Sequence, residues 1–204
     1  MAAVNPYKTV GMFEDAVAEY AGSNYAVAVE SCTAALFLSL MYVGVKGKTI
    51  SIPKYTYPSV PCSIIHAGGQ LKFTSEKWEG VYELKPTRVI DGALRFTKGM
   101  YVHGTFHCLS FHVKKHLPIG RGGMILTDDW DAVKWLRKAR FDGRNPVPLK
   151  RDSFTMLGWN MYMEPANAAR GLQLLQALGD KKLRDLSVKE QEYADLSKFS
   201  VYTQ

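Results

Sequence analysis

The chain has 204 residues, 47% of them hydrophobic and 22% charged, which is the balance of a globular protein long enough for one sizeable core. The longest apolar run, 34–45, is interrupted by Ser39 and Tyr42 and falls short of the ~20 residues a membrane-spanning helix needs; the N-terminus carries no apolar signal core, so a cytoplasmic, single-domain protein is expected. Three cysteines (Cys32, Cys62 and Cys108) without CxxC spacing argue against a disulfide framework or a structural zinc site and for reduced thiols in or near the core; no metal site is expected.

The net charge of +7 favours anionic partners such as phosphates, nucleotides or nucleic acid. Much of it is concentrated in 134–151, where Lys134, Arg137, Lys138, Arg140, Arg144, Lys150 and Arg151 face a single acid, Asp142. Lys134, Arg137 and Lys138 have the spacing of one helix face, either a solvated face or one that lies along a polyanion.

Strand and helix signals alternate along the chain. Residues 13–20 read as a short amphipathic helix stopped at Gly22, 25–29 as an apolar strand, 33–43 as a buried helix and 49–52 as a second strand ended by Pro53. A helix over 59–67 is stopped by Gly68 and Gly69. Strands follow at 71–74, 88–90, 100–103, 107–112 and 123–127. Helices are expected over 129–140, with a start signal at 127–129, and over 164–178 and 181–199. Short apolar strands separated by helices predict an α/β fold of three layers, a mainly parallel sheet between helices, with ligands outside the carboxyl ends of the strands. That directs attention to 31–33, 54–57, 91–94 and 110–115.

Three places there carry chemistry. Ser31, Cys32 and Thr33 open a helix, where free N–H groups and the dipole attract an anion, although Ser and Thr also serve as plain helix caps. Asp91 ends an apolar strand and loses hydration there, so it needs a partner: a protonated ring nitrogen, a metal, or a helix to cap. Ser110 to Lys115, followed by Gly120, Gly122 and Gly123, brings a lysine out of an apolar strand into a Gly-rich turn. Partial desolvation would lower the pKa of its amine and suit Schiff-base chemistry; a surface lysine pair beside a tight turn is the plainer reading.

Five segments in order, SCTAAL at 31–36, PKYTY at 53–57, VIDGA at 89–93, LSFHVKKHLPIGRGGMILT at 109–127 and GWNMYM at 158–163, resemble the DegT/DnrJ/EryC1/StrS family of sugar aminotransferases. The resemblance runs from about residue 13 to about residue 175. It implies an aspartate-aminotransferase-like large domain in reduced form, and pyridoxal 5'-phosphate as cofactor. Cys32, Thr33 and Ser110 would bind its phosphate, Tyr57 would stack on its ring, Asp91 would pair with the ring nitrogen and Lys115 would link to it. Asn160 would reach the cofactor phosphate of a partner subunit, which implies a homodimer with shared sites, formed through the helices after about residue 164.

The chain departs from the family at Cys32 for glycine, Leu94 for glutamine and Tyr162 for arginine; His116 follows the lysine rather than replacing it. A strand and a helix are missing between Phe73 and Arg88, and the family's C-terminal small domain is absent. The resemblance implies transfer of an amino group from an amino acid to a keto sugar of a nucleotide-sugar. Two other readings stand beside it: a pyridoxal-phosphate enzyme, decarboxylase or amine transferase, acting on amino-acid-modified bases of nucleic acid, and a non-catalytic degenerate homologue.

Overall fold

The computed structural model describes residues 5–189 and 192–202. Helix α1 (Lys8–Ala21) buries Val10, Phe13, Val17 and Ala21 at three- and four-residue spacing, and ends at Gly22, whose φ of 80° lets its N–H reach the Ala18 carbonyl at 2.9 Å. Strand β1 (Tyr25–Val29) leads into α2 (Cys32–Val43), which is apolar almost all round and so lies inside the molecule. Ser31 caps it, accepting from the Ala34 N–H at 3.1 Å. Strand β2 (Thr49–Pro53), α3 (Ser59–His66) and β3 (Gln70–Thr74) make one parallel βαβ unit. Strands β4 (Tyr82–Glu83), β5 (Val89–Asp91), β6 (Phe106–Ser110) and β7 (Gly123–Thr127) follow, then α4 (Trp130–Ala139), capped by Asp129, and α5 (Pro165–Leu178).

Five strands pair in the order β1-β7-β6-β5-β4, and β2 pairs with β3. The two groups are joined through Ser51 and Lys85, which exchange backbone hydrogen bonds of 2.7 and 3.1 Å. Among the described strands β1, β2, β3, β5 and β6 run one way; β4 and β7 run against them. The sheet is therefore mainly parallel in direction, as the alternating pattern implied. Alternate residues divide between its faces: Val27, Val29, Phe106, Cys108 and Ile125 pack with α2, α3 and α4, whereas Ala26, Ala28, Leu109, Met124 and Leu126 pack with α1 and α5.

Three expectations need correction. Residues 100–103 are not a strand: the N–H groups of Gly99 and Tyr101 are taken by the Tyr20 and Ala21 carbonyls, which the end of α1 leaves without helical partners. The helix expected over 181–199, of which 190 and 191 lie outside the described residues, is a largely extended strap that includes a 3-10 turn at Leu196–Lys198. Its N–H groups are drawn away from helical pairing, Leu183 to Thr97 Oγ1 at 3.0 Å and Leu186 to the Leu94 carbonyl at 2.9 Å. The shortened stretch between Phe73 and Arg88 still holds a strand, β4, which fills the gap between β5 and β2.

The faces are locked together at Glu14. Its carboxylate is 2% exposed and accepts from the Ala28 N–H at 2.9 Å and from Arg137 at 2.9 Å, and it is also paired with Arg140. One carboxylate thus ties α1, β1 and α4. Glu14→Ala leaves the Arg140 guanidinium, 14% exposed, without its carboxylate, and breaking a buried pair from one side costs about 3–5 kcal/mol. A urea titration followed by tryptophan fluorescence should show a lower midpoint with little change in slope; an unchanged midpoint would refute the clamp.

Candidate active site

The carboxyl ends of β1, β2, β5 and β6 open onto one cavity of about 510 Å³. Of the residues singled out in the sequence, Cys32, Thr33, Tyr57, Asp91, Ser110 and Lys115 all line it. Asn160 does not: it lies beside Phe141 and donates to Asp142 Oδ2 at 3.3 Å. Leu94 is buried away from the cavity, and His116 is turned outward, its Nε2 2.7 Å from the Arg184 carbonyl.

Asp91 is 5% exposed. Its Oδ1 accepts from the Ala93 N–H at 2.9 Å and lies 4.0 Å from the Cys32 thiol; its Oδ2 accepts from the Tyr82 hydroxyl at 2.9 Å. Burial raises its pKa, while these hydrogen bonds and the Lys115 charge pull the other way. Burial, with the Asp91 charge beside it, pushes the Cys32 thiol up, away from the thiolate form. Lys115 is half-buried where its neighbour Lys114 is exposed. Burial lowers the pKa of its amine, against the opposing pull of Cys32 and Asp91.

The other wall is the start of α2. Thr33 Oγ1 donates to Ser59 Oγ at 2.9 Å, so hydroxyls from α2 and α3 meet where the helix dipole is positive. Gly123 lets β7 approach this helix end: a Cβ there would meet the Ser31 and Cys32 backbone at 2.3–2.6 Å. Hydroxyls at a helix start, a buried carboxylate and a partly desolvated amine on one cavity fit the phosphate, ring nitrogen and aldehyde of pyridoxal phosphate.

The lining residues Trp78 and Tyr193 escaped sequence reading, and Thr56 lies within the 54–57 segment but was given no role there; it is 1% exposed beside Tyr57. Trp78 donates from Nε1 to the Tyr55 carbonyl at 2.9 Å and packs between Tyr82 and Tyr193. Tyr193 arrives on the C-terminal strap, which is pinned by the Arg95–Asp185 pair, by Leu196 N–H to the Lys54 carbonyl at 2.9 Å and by the Lys54–Asp195 pair at 2.9 Å. Burial and the nearby Asp91 charge raise the pKa of the Tyr193 phenol. No periodicity marks these residues; an aromatic on a strap becomes a wall only when the strap folds back.

The basic stretch is partly neutralised. Lys134 pairs with Asp131, Arg137 and Arg140 share Glu14, and Arg144 pairs with Asp152. A polyanion would have to compete with these three acids for four of the seven cations.

The three-layer α/β fold, with this cavity at its strand ends, is of the aspartate-aminotransferase type. The DegT/DnrJ/EryC1/StrS aminotransferase family model matches residues 2–79 and 98–200, and the chain belongs to that family, whose members use pyridoxal phosphate. The chain is 27% identical over 227 residues to the spore coat polysaccharide biosynthesis protein SpsC of Bacillus subtilis, covering 86% of this chain and 58% of that protein. It is 25% identical to the GDP-perosamine synthase of Caulobacter vibrioides, over 82% and 56%. Among solved structures, AtS13 from Actinomadura melliaura superposes with a TM-score of 0.72 at 19% identity, over 85% and 61%, and PseC of Helicobacter pylori with 0.73 at 14%, over 95% and 79%. The chain thus spans somewhat over half the length of these sequence relatives.

The lowered pKa of Lys115 makes a direct expectation. Lowering from the ordinary lysine value raises the neutral share of its amine, and only the neutral form adds to an aldehyde. With limiting pyridoxal phosphate and borohydride at neutral pH, peptide mass spectrometry should find label at Lys115 before Lys114. Equal labelling of the two would refute the assignment.

Proposed function

We propose that this protein is a pyridoxal-phosphate-dependent aminotransferase that passes an amino group from an amino acid to the keto sugar of a nucleotide-sugar. The observation that carries the reading is that Asp91 and Lys115, from the ends of β5 and β6, face one cavity together with the hydroxyl-rich start of α2. The names of two relatives, GDP-perosamine synthase and UDP-4-amino-4,6-dideoxy-N-acetyl-beta-L-altrosamine transaminase, support the substrate class.

The bound cofactor supplies an electron sink for the charge left on the substrate carbon. Thr33, Ser59 and Ser110 would hold its phosphate, with the α2 dipole adding attraction. Tyr57 would cover the face of its ring. Asp91, an acceptor at both oxygens, would hold the proton of the ring nitrogen. Lys115 would take the proton from the amine-bearing carbon of the substrate and deliver it to the carbon on the other side of that nitrogen; its lowered pKa suits a base that is neutral when needed. Trp78 and Tyr193 narrow the cavity's outer side and shield the amine from water.

The reading includes a homodimer with shared sites. Leu149, Phe154 and Leu157, 61, 67 and 90% exposed, lie on the segment that leads to Asn160. Burying that apolar surface against a second copy would favour association at roughly 25 cal/mol per Å² and would bring Asn160 toward the partner's cavity.

Purified protein given pyridoxal phosphate should gain a visible absorbance band that Lys115→Ala lacks. The same substitution should reduce half-transamination of the best amino donor by at least about 100-fold, the low end of what a general acid–base contributes. Wild-type protein that never takes up the cofactor would end this reading. Phe154→Asp with Leu157→Asp should shift light-scattering mass from dimer to monomer; a wild-type monomer at high concentration would remove the shared-site part.

A further inference from the structure

Asp91 stands at the end of a hydrogen-bond chain that runs through Tyr82, which no sequence signal marked. Tyr82, the first residue of β4, pairs across the strands with Asp91 and donates to its Oδ2 at 2.9 Å. The same hydroxyl lies 2.6 Å from Thr56 Oγ1. Tyr82 is 5% exposed and Thr56 1%, so water has little access to either hydroxyl.

A phenol has one proton to give. While Tyr82 gives it to Asp91, the Thr56 hydroxyl must be the donor to Tyr82. Both donors then point toward the carboxylate, an arrangement that favours its ionised form. Were Asp91 protonated, its own proton would sit toward Tyr82 and the chain would have to reverse. The strand that carries Tyr82 is the short one filling the gap between β5 and β2, and Trp78 packs over its ring with centroids 4.6 Å apart.

The other groups that sense Asp91 come from every element around it. Cys32 on α2, Cys108 on β6 and Tyr193 on the strap share its surroundings, and Lys115 is the cation among them. Lys115 is committed to other work in the reading above, so the steady hydrogen bonds to Asp91 are those of the Ala93 N–H and Tyr82.

We propose that Tyr82, backed by Thr56, is the positioning residue for Asp91: it fixes Oδ2 and keeps the carboxylate ionised, so that Asp91 can act as acceptor for a protonated ring nitrogen. The chain of hydroxyls stands on the structure alone; its use toward a ring nitrogen rests on the pyridoxal-phosphate reading.

The test starts from the cofactor-free protein, labelled with carboxyl-¹³C aspartate and titrated by NMR as wild type, Tyr82→Phe and Thr56→Val. Loss of the phenol proton should raise the Asp91 midpoint by about one unit, a tenfold change in proton affinity, and Thr56→Val should raise it by less. An unmoved midpoint in folded Tyr82→Phe overturns the proposal. If Tyr82→Phe does not fold, Thr56→Val decides, since it leaves every atom around Asp91 in place: a rise supports the proposal and an unmoved midpoint overturns it. In loaded enzyme, Tyr82→Phe should lower kcat about tenfold at unchanged KM for the amino donor, and should move the pH midpoint of the visible band. Failure of the wild type to bind cofactor would defeat the functional reading, while the NMR titration still judges Tyr82. Normal cofactor binding with a stationary Asp91 midpoint would defeat this inference alone.

Discussion

A carboxylate taken out of water is the constraint on which the site depends. Asp91 loses hydration at the end of β5, and an unpaired buried ion costs several kcal/mol, on the order described for buried charges in general. The fold offsets this with an N–H two residues on, a phenol across the strand pair and a lysine on the far side of the cavity. Each comes from a different element, so the site exists only when β4, β5 and the loop after β6 are in register. Lys115 is the complement: the burial that raises Asp91 lowers Lys115, and their attraction opposes both shifts.

Compactness is achieved by substitution of parts. Where the family resemblance implies a further strand and helix, a two-residue strand and its flanks span from β5 to β2. Running antiparallel, this strand needs no crossover helix. It also turns Tyr82 toward Asp91, because residues directly opposite across a strand pair share a face. The strap after α5 has a comparable role. Its N–H groups bond to the 94–97 loop and to Lys54, and it carries Tyr193 against Trp78 at the cavity wall.

Part of the positive charge is structural. Glu14, buried in α1, draws Arg137 and Arg140 inward from α4, and Asp152 holds Arg144. Counting charges along 134–151 overstates the basic surface in part because Glu14, more than a hundred residues away in the chain, takes up two of its arginines.

Local and periodic signals were legible in the sequence. The alternation of apolar strands and helices, caps such as Ser31 and Asp129, and stops such as Gly22 located most elements within a residue or two, except at the start of α1, which begins five residues earlier than expected. The rule that ligands sit at strand ends pointed to 31–33, 54–57, 91–94 and 110–115, and residues of all four segments line one cavity. Such signals are legible because the physics involved acts within a few residues: helix period, strand burial, backbone freedom at glycine. Only the tertiary structure decided that the described residues of 181–199 form a strap, that 100–103 caps α1, that Trp78 and Tyr193 reach the cavity wall, and that Tyr82 stands behind Asp91 with Thr56. Those outcomes depend on which distant donor meets which acceptor, Tyr82 with Thr56 across 26 residues and Leu183 with Thr97 across 86, and such pairings leave no local pattern in the chain.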